Sequence, residues 1–333
     1  TLGSKEIVVA VTDTGVDLQH QDLAKQIWTN INEIPNNNID DDQNGYIDDM
    51  NGWDFFSDDH DPDDETSSRN PGHGTHCAGI IGAIGNNAVG VTGIAPIATI
   101  MPVRFLGADG SGDLLGATKA IDYAVENGAH IISASWGAAV ARAQMKPVLE
   151  AISRANEKGI YFIAAAANNG SSNDFKEIYP ANAGLPNVIS VAASGPQDEK
   201  PSWSNYGRTK VDIAAPGLNI LSTLPNDSYG NLSGTSMATP LVSGLVALLL
   251  SYAKEHGLTY TPTEIKAILQ QTAENADVET ACQCRVSAKG ALQNLAENSL
   301  TMVPFALTLE SKKTHQMQGI GGEEGYEFSS SDD

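Results

Sequence analysis

The sequence predicts a three-layer α/β fold, a mostly parallel sheet flanked by helices, on three observations. Short β-branched runs recur without polar alternation, as strands buried on both faces require. Stretches of helical length and spacing separate them. The alternation continues over about 290 residues, the pattern of a layered α/β domain rather than of segregated helical and sheet parts.

Ile7–Val11 reads as the first strand, followed by Thr99–Val103, His130–Ser133, Tyr161–Ala164 and Val188–Val191, each an apolar run too short for a helix. Asp113–Asn127, Gln144–Lys158 and Thr235–His256 have helical length and spacing. Pro262 followed by Glu264 opens another helix, with proline at a favourable early position. There are no internal repeats. Met302–Leu309 reads as one more strand, and from Glu310 the Gly-, Ser- and acid-rich composition reads as a flexible tail or the stub of something removed. Residues 1–299 are therefore expected to form one domain, and 300–333 a C-terminal strand and acidic tail.

The 333 residues suffice for a large core, and 41% apolar content excludes wholesale disorder. Three cysteines cannot build a disulfide framework. With 41 acidic against 19 basic side chains (net −22), the chain lacks the basic face a nucleic-acid partner needs. No apolar stretch reaches the ~18 residues of a membrane span; Leu241–Leu250 is broken by Ser243 and Gly244. The opening Thr1-Leu2-Gly3-Ser4-Lys5 carries no signal peptide and reads as a processed mature terminus. The charge is local: residues 40–65 hold 12 acidic side chains and no Lys or Arg.

Three short motifs carry the chemistry. Val11-Thr12-Asp13-Thr14-Gly15-Val16-Asp17 puts Asp13 at the C-terminal end of the first strand, the end that faces the ligand crevice of an open α/β sheet. Gly72-His73-Gly74-Thr75-His76-Cys77-Ala78-Gly79 begins a helix whose glycines allow tight packing beside the sheet. Gly234-Thr235-Ser236-Met237-Ala238-Thr239-Pro240 presents Ser236 at the head of an apolar helix. A serine hydroxyl is a poor nucleophile until a positioned imidazole takes its proton. That imidazole needs a carboxylate to hold its tautomer and stabilise the imidazolium. A helix N-terminus adds N–H groups and a positive dipole end where an oxyanion develops. Ala165-Ala166-Ala167-Asn168-Asn169-Gly170 leaves another apolar strand, with Asn168 able to donate its amide to the same oxyanion. Singly, Asp13 reads as a helix cap, His73 as a structural histidine and Ser236 as an N-cap; jointly they read as an acid–base–nucleophile set.

These residues resemble the subtilisin-like serine proteases (subtilases) over roughly residues 5–296, with the motifs in the order Asp, His, Ser and separations of 60 and 163 residues. The resemblance implies a serine endopeptidase that hydrolyses peptide bonds of proteins through an acyl-enzyme on Ser236. Asp13 is then the orienting carboxylate, His73 the general base and acid, and Asn168 the oxyanion donor. It implies protein or peptide substrates, a zymogen whose prosegment acts as inhibitor or chaperone, and a secreted or extracytoplasmic monomer. Two positions depart from the family pattern: Ala167 replaces the usual Gly before the oxyanion Asn, and Leu241 replaces the usual His after Pro240.

The resemblance also places substrate strands against Gly110-Ser111-Gly112 and Ser135-Trp136-Gly137, where main-chain hydrogen bonds hold any sequence and pockets select side chains. The primary pocket would lie between Ser135–Gly137 and Ala165, Ala166 and Ala167. Its small walls favour a large apolar or aromatic residue, whereas Asp174 or Glu177 reaching its base would favour Lys or Arg. Trp136 stands where the family commonly has Leu, which implies a shallower neighbouring pocket.

The acid-rich segment has side-chain oxygens at Asp40, Asp42, Asn44 and Asp48, a turn at Gly45 and a backbone carbonyl at Tyr46, the first three-quarters of a calcium-loop pattern. Asn51 stands where the twelfth-position Glu belongs, so an EF-like structural Ca²⁺ loop is expected rather than an EF-hand, with an ordinary Asp/Asn turn as the alternative. By resemblance, Gly85-Asn86-Asn87-Ala88-Val89-Gly90-Val91 matches the family's calcium loop after the His helix. Asp22 and Asn87 would supply side chains, and Gly85, Val89 and Val91 carbonyls. Cys77 is expected to be a buried free thiol, and Cys282 and Cys284 are spaced for a tight disulfide in an oxidising compartment. Competing readings are a silent peptide-binding scaffold, a calcium-dependent binding module and an α/β-hydrolase esterase, the last disfavoured by chain order.

Overall fold

The computed structural model describes residues 1–298. Its first seven strands are β1 (Val8–Asp13), β2 (Trp53–Asp54), β3 (Thr99–Arg104), β4 (Ile131–Ala134), β5 (Tyr161–Ala165), β6 (Val188–Ser194) and β7 (Ile213–Pro216). A separate antiparallel hairpin, β8 (Ile220–Leu224) and β9 (Ser228–Leu232), follows. With β10 (Glu274–Asn275) and β11 (Cys284–Arg285), the main sheet has nine strands in the order β10-β11-β7-β6-β5-β4-β1-β3-β2. Every neighbouring pair is parallel except β10 with β11 at one edge. The predicted three-layer architecture is the one observed.

Helices cover both faces, which is why the central strands are apolar throughout. Val9, Val11, Ile163 and Val191 point to the face packed by α1 (His73–Gly82), α4 (Thr235–Glu255) and α5 (Pro262–Gln271). Ala10, Met101, Ile132 and Phe162 point to the other, under α2 (Leu114–Glu126) and α3 (Lys146–Glu157). This is the period of two that sends successive strand residues to opposite faces. The α4 helix is long and apolar enough to cross a membrane by composition, but its apolar residues are buried against α1 and β4 to β7. It is the central core helix. The start of α5 is fixed as expected, with Pro262 in its first turn and a reciprocal capping box between Thr261 and Glu264.

The sequence reading did not foresee β7 or the hairpin. The first is a four-residue strand, and the second is half-exposed with its apolar residues interrupted by Ser, Thr, Gly and Asn, so neither carries a long apolar run. A final helical stretch over residues 288–298 seats Leu295 in the core. The strand expected at Met302–Leu309 lies outside the described residues.

Candidate active site

The parallel sheet delivers Asp13 as the last residue of β1, fully buried at the carboxyl edge. Its Oδ1 accepts the Thr14 N–H at 2.8 Å and lies 2.7 Å from His73 Nδ1. His73 is the first residue of α1, and the Asn70 side chain caps it, accepting the N–H groups of Gly72 and His73 at 3.0 and 2.7 Å. Only glycine fits next: a Cβ on Gly74 would stand 2.0 Å from the Gly15 carbonyl oxygen and 3.1 Å from Asp13 Cβ. That contact lets the helix start touch the loop that carries Asp13. Burial pulls the His73 imidazole down, but the Asp13 carboxylate, its hydrogen bond and the Asp64 charge together lift it above its ordinary value.

Ser236 stands in the first turn of α4, its hydroxyl donating to the Ser135 carbonyl at 3.1 Å. Pro240, four residues on, has no N–H, so the Ser236 carbonyl loses its usual helical partner. That carbonyl instead accepts the Ser135 hydroxyl at 2.9 Å and the Cys77 thiol at 3.4 Å. Cys77 links the groups: its Sγ lies within 4.8 Å of side-chain ligand atoms of Asp13 and His73. It is a buried free thiol, as expected, and burial pushes its pKa well up, which keeps it protonated and inert.

Asn168 follows β5 and meets the same helix start. Its Oδ1 accepts the Thr235 N–H at 2.8 Å and the Thr235 hydroxyl at 3.0 Å, which fixes the amide orientation and leaves Nδ2 free to donate. A Cβ on Gly234 would lie 3.4 Å from that Nδ2. The first N–H groups of a helix lack intrahelical partners; Met237 and Ala238 give theirs to the Gly234 carbonyl, and the Ser236 N–H takes no protein acceptor among the described residues. Ala167, in place of the usual glycine, is held at φ +89°, a region alanine rarely occupies, with its N–H on the Thr235 hydroxyl at 3.2 Å. Thr235 thus holds Asn168 without having been singled out from sequence; its two hydrogen bonds to a residue 67 positions away have no local signature.

Gly110, Ser111 and Gly112 are exposed, on a turn closed by Gly107 N–H to the Ser111 carbonyl at 2.9 Å. Ser135 is buried, Gly137 is exposed, and Trp136 is pinned by its Nε1–H to Thr12 Oγ1 (3.0 Å) and edge-on to Phe105. Ala165 and Ala166 are buried and Ala167 half-buried. Asp174 is occupied elsewhere, accepting the N–H groups of Arg208, Thr209 and Lys210, and Glu177 accepts the Tyr179 hydroxyl. Both acids have structural partners.

The acidic segment folds differently from its linear pattern. Glu33, Asp42 and Asp49 bring carboxylate oxygens within 4.8 Å of one another. Asn30 donates to Asp42 (2.9 Å) and Asp49 (2.8 Å), and the Tyr123 hydroxyl of α2 donates to Asp49 at 2.6 Å. Burial pushes the Asp49 carboxyl up despite these bonds. Asp40 instead accepts the Asn44 and Gly45 N–H groups, and Asp48 those of Asn37 and Asn38, so neither joins the cluster. Asn44 does reach it, donating to Asp49 at 3.0 Å, while the Tyr46 ring packs among Trp53, Phe55 and Tyr123. Glu33 and Asp49 were missed because the first lies outside the acid-rich window and the second breaks the alternation. At the other loop, buried Asp22 gathers Asn87 Nδ2, the Val91 N–H (3.1 Å) and the Tyr229 hydroxyl (2.9 Å), while Asn87 Oδ1 accepts the Val89 N–H at 3.1 Å. Gly85 begins that turn, which carries positive φ at Asn86, Ala88 and Gly90. Cys282 and Cys284 are disulfide-bonded.

The chain is similar in sequence and fold to known proteins. The model of the subtilase family, Peptidase_S8, matches residues 4–321. Thermitase of Thermoactinomyces vulgaris is 37% identical over 266 residues, covering 80% of each chain. The major intracellular serine protease of Bacillus subtilis (strain 168) is 39% identical over 252 residues, 75% of this chain and 70% of that one. The crystal structure of a cold-adapted subtilisin-like serine proteinase aligns with a TM-score of 0.64 at 28% identity, over 85% of this chain and 88% of the other. Some relatives are longer: the chain spans 58% of one and 19% of another.

Proposed function

Because the chain belongs to the subtilase family and is a serine-type endopeptidase, we propose that it cleaves proteins by acyl transfer to Ser236, served by Asp13, His73 and Asn168. In acylation, His73 Nε2 takes the Ser236 proton as Oγ attacks the scissile carbonyl. The Asp13 carboxylate on Nδ1–H holds the tautomer and stabilises the imidazolium that forms. Asn168 Nδ2–H and the Ser236 N–H receive the oxyanion. His73 then returns its proton to the leaving amine, and water repeats the sequence on the acyl-enzyme. The observation that carries this reading is the 2.7 Å Asp13–His73 contact beside the α4 start that holds Ser236. A fluorophosphonate is expected to label the folded protein stoichiometrically at Ser236, read by peptide mass spectrometry; no adduct in protein with an intact fold would end the proposal.

Calcium fits the Glu33–Asp42–Asp49 cluster, because hard carboxylate oxygens are its preferred donors and no Lys or Arg forms an ion pair with the three among the described residues. Glu33, Asp42 and Asp49 would hold the ion and Asp40 and Asp48 would shape the loop around it. At the second loop, buried Asp22 with Asn87 and the backbone of Gly85, Val89 and Val91 is the corresponding donor set. Bound there, calcium supplies structural charge neutralisation. Exhaustive chelation is expected to lower Tm by about 5–10 °C, as loss of a ligand held well above its Kd does, and to hasten self-cleavage. An unchanged calorimetric Tm would remove the calcium claim.

Residues 1–299 are taken as the catalytic domain. A secreted, extracytoplasmic setting belongs to the same reading; among the relatives, one is named as intracellular. Synthesis as a zymogen, with a prosegment as inhibitor or chaperone, and action as a monomer complete the reading.

A further inference from the structure

One carboxylate of the acid-rich segment stands outside the calcium cluster and against the catalytic loops. Asp64 Oδ1 accepts the Thr14 hydroxyl at 2.9 Å, and its Oδ2 accepts both the N–H (2.9 Å) and the hydroxyl (2.7 Å) of Thr75. Thr14 follows Asp13, and Thr75 stands two residues after His73. The Thr14 hydroxyl oxygen in turn accepts the Gly74 N–H at 3.0 Å, and that of Thr75 accepts the Asp17 N–H at 2.9 Å. Next door, the Pro62 carbonyl accepts the Val16 N–H at 3.0 Å and the Asp63 side chain that of Leu18 at 3.1 Å. Each bond ties either the loop leaving β1, which carries Asp13, or the first turn of α1, which carries His73, to the other or to residues 62–64.

We propose that Asp64 is a positioning residue for peptide hydrolysis, bracing Asp13 against His73 and sustaining the basicity of the His73 imidazole with its negative charge. The inference rests on the assignment of Asp13, His73 and Ser236 made above. A second anion beside Asp13 is unfavourable while His73 is neutral. It becomes favourable once His73 has taken the Ser236 proton, so the interaction strengthens towards the transition state, where it accelerates the reaction. Burial, with the Asp13 charge adding to it, pushes the Asp64 carboxyl up to about 6 against the pull of the Thr75 and Thr14 hydrogen bonds. The acid limb of turnover therefore belongs to a coupled set. The other groups near His73 are silent there: burial lowers His76, on α1, to about 4, and Cys77, also on α1, stays protonated. Asp17 and Asp63 flank Asp64 from the β1 loop and its own segment, burial raising Asp63. From α4 the neighbour is the uncharged Ser236.

The test compares kcat, KM and the pH dependence of kcat/KM for the native enzyme, Asp64→Asn and Asp64→Glu from about pH 5 to pH 9. Removing a negative charge makes the imidazolium easier to deprotonate, so Asp64→Asn should move the acid limb down by about half a pH unit. It should lower kcat about tenfold with KM within about twofold. Asp64→Glu should keep the native limb while losing part of kcat. A limb unmoved in folded Asp64→Asn overturns the proposal, because a brace without an electrostatic role would change kcat and Tm alone. If Asp64→Asn does not fold, Asp64→Glu decides: a native limb with lowered kcat supports the proposal, and a limb displaced downward, or unaltered kcat, overturns it. Failure of native protein to take a fluorophosphonate at Ser236 would instead overturn the underlying assignment.

Discussion

Ser236→Ala is expected to reduce kcat by about 10⁶ while leaving the fold intact. Without Oγ there is no acyl-enzyme, and the His73 base has no proton to take; such a loss is typical when the nucleophile of a triad is removed, because its members act as a unit. What survives is the oxyanion site and substrate binding, worth about 10³–10⁴ over the uncatalysed reaction. Stability should change by less than about 1 kcal/mol, since the half-exposed hydroxyl makes one bond, to the Ser135 carbonyl. Kinetics on a peptide substrate, with calorimetry on the same sample, check both halves. A Tm collapse would make the lost turnover uninformative, and near-native turnover would remove Ser236 as nucleophile.

Asn168→Ala is expected to cost about 10²–10³ in kcat with little change in KM, the usual loss for one oxyanion donor, and one measured in a subtilisin. The structure adds a complication that a second substitution resolves. Truncation also strips the acceptor from the Thr235 N–H and hydroxyl, which costs about 1–3 kcal/mol of stability. Asn168→Asp keeps that acceptor and replaces the donor Nδ2 with an oxygen. It should lose at least as much kcat as the alanine variant while keeping more of the native Tm. Equal turnover in Asn168→Asp and native enzyme would exclude an amide donor at this position.

Much of this protein was legible before its structure. The five apolar runs became strands with ends displaced by at most three residues, because burial on both faces imposes a composition that a short window reveals. The Asp13, His73 and Ser236 motifs were legible for a related reason: each encodes its own local geometry. Gly74 permits backbone contact, Pro240 frees a carbonyl, and Gly234 opens a helix. The acid-rich segment was legible only as a composition. Its acids include members of a carboxylate cluster, turn caps, the Asp54 and Glu65 partners of Arg104 and the Asp64 brace, and the linear alternation ranked Asp40 and Asp48 above Glu33 and Asp49.

The sequence by itself determined the fold class, the family resemblance and the identity of the groups that read as nucleophile, base and acid, since residue type, helix starts and strand burial depend on near neighbours along the chain. Only the tertiary structure decided which polar groups meet. Thr235 fixes Asn168 across 67 residues, Tyr123 reaches Asp49 across 74, and Asp64 spans Thr14, 50 residues away, and Thr75. Side-chain hydrogen bonds between distant segments follow from the packing of the whole sheet, and no local pattern announces the partner.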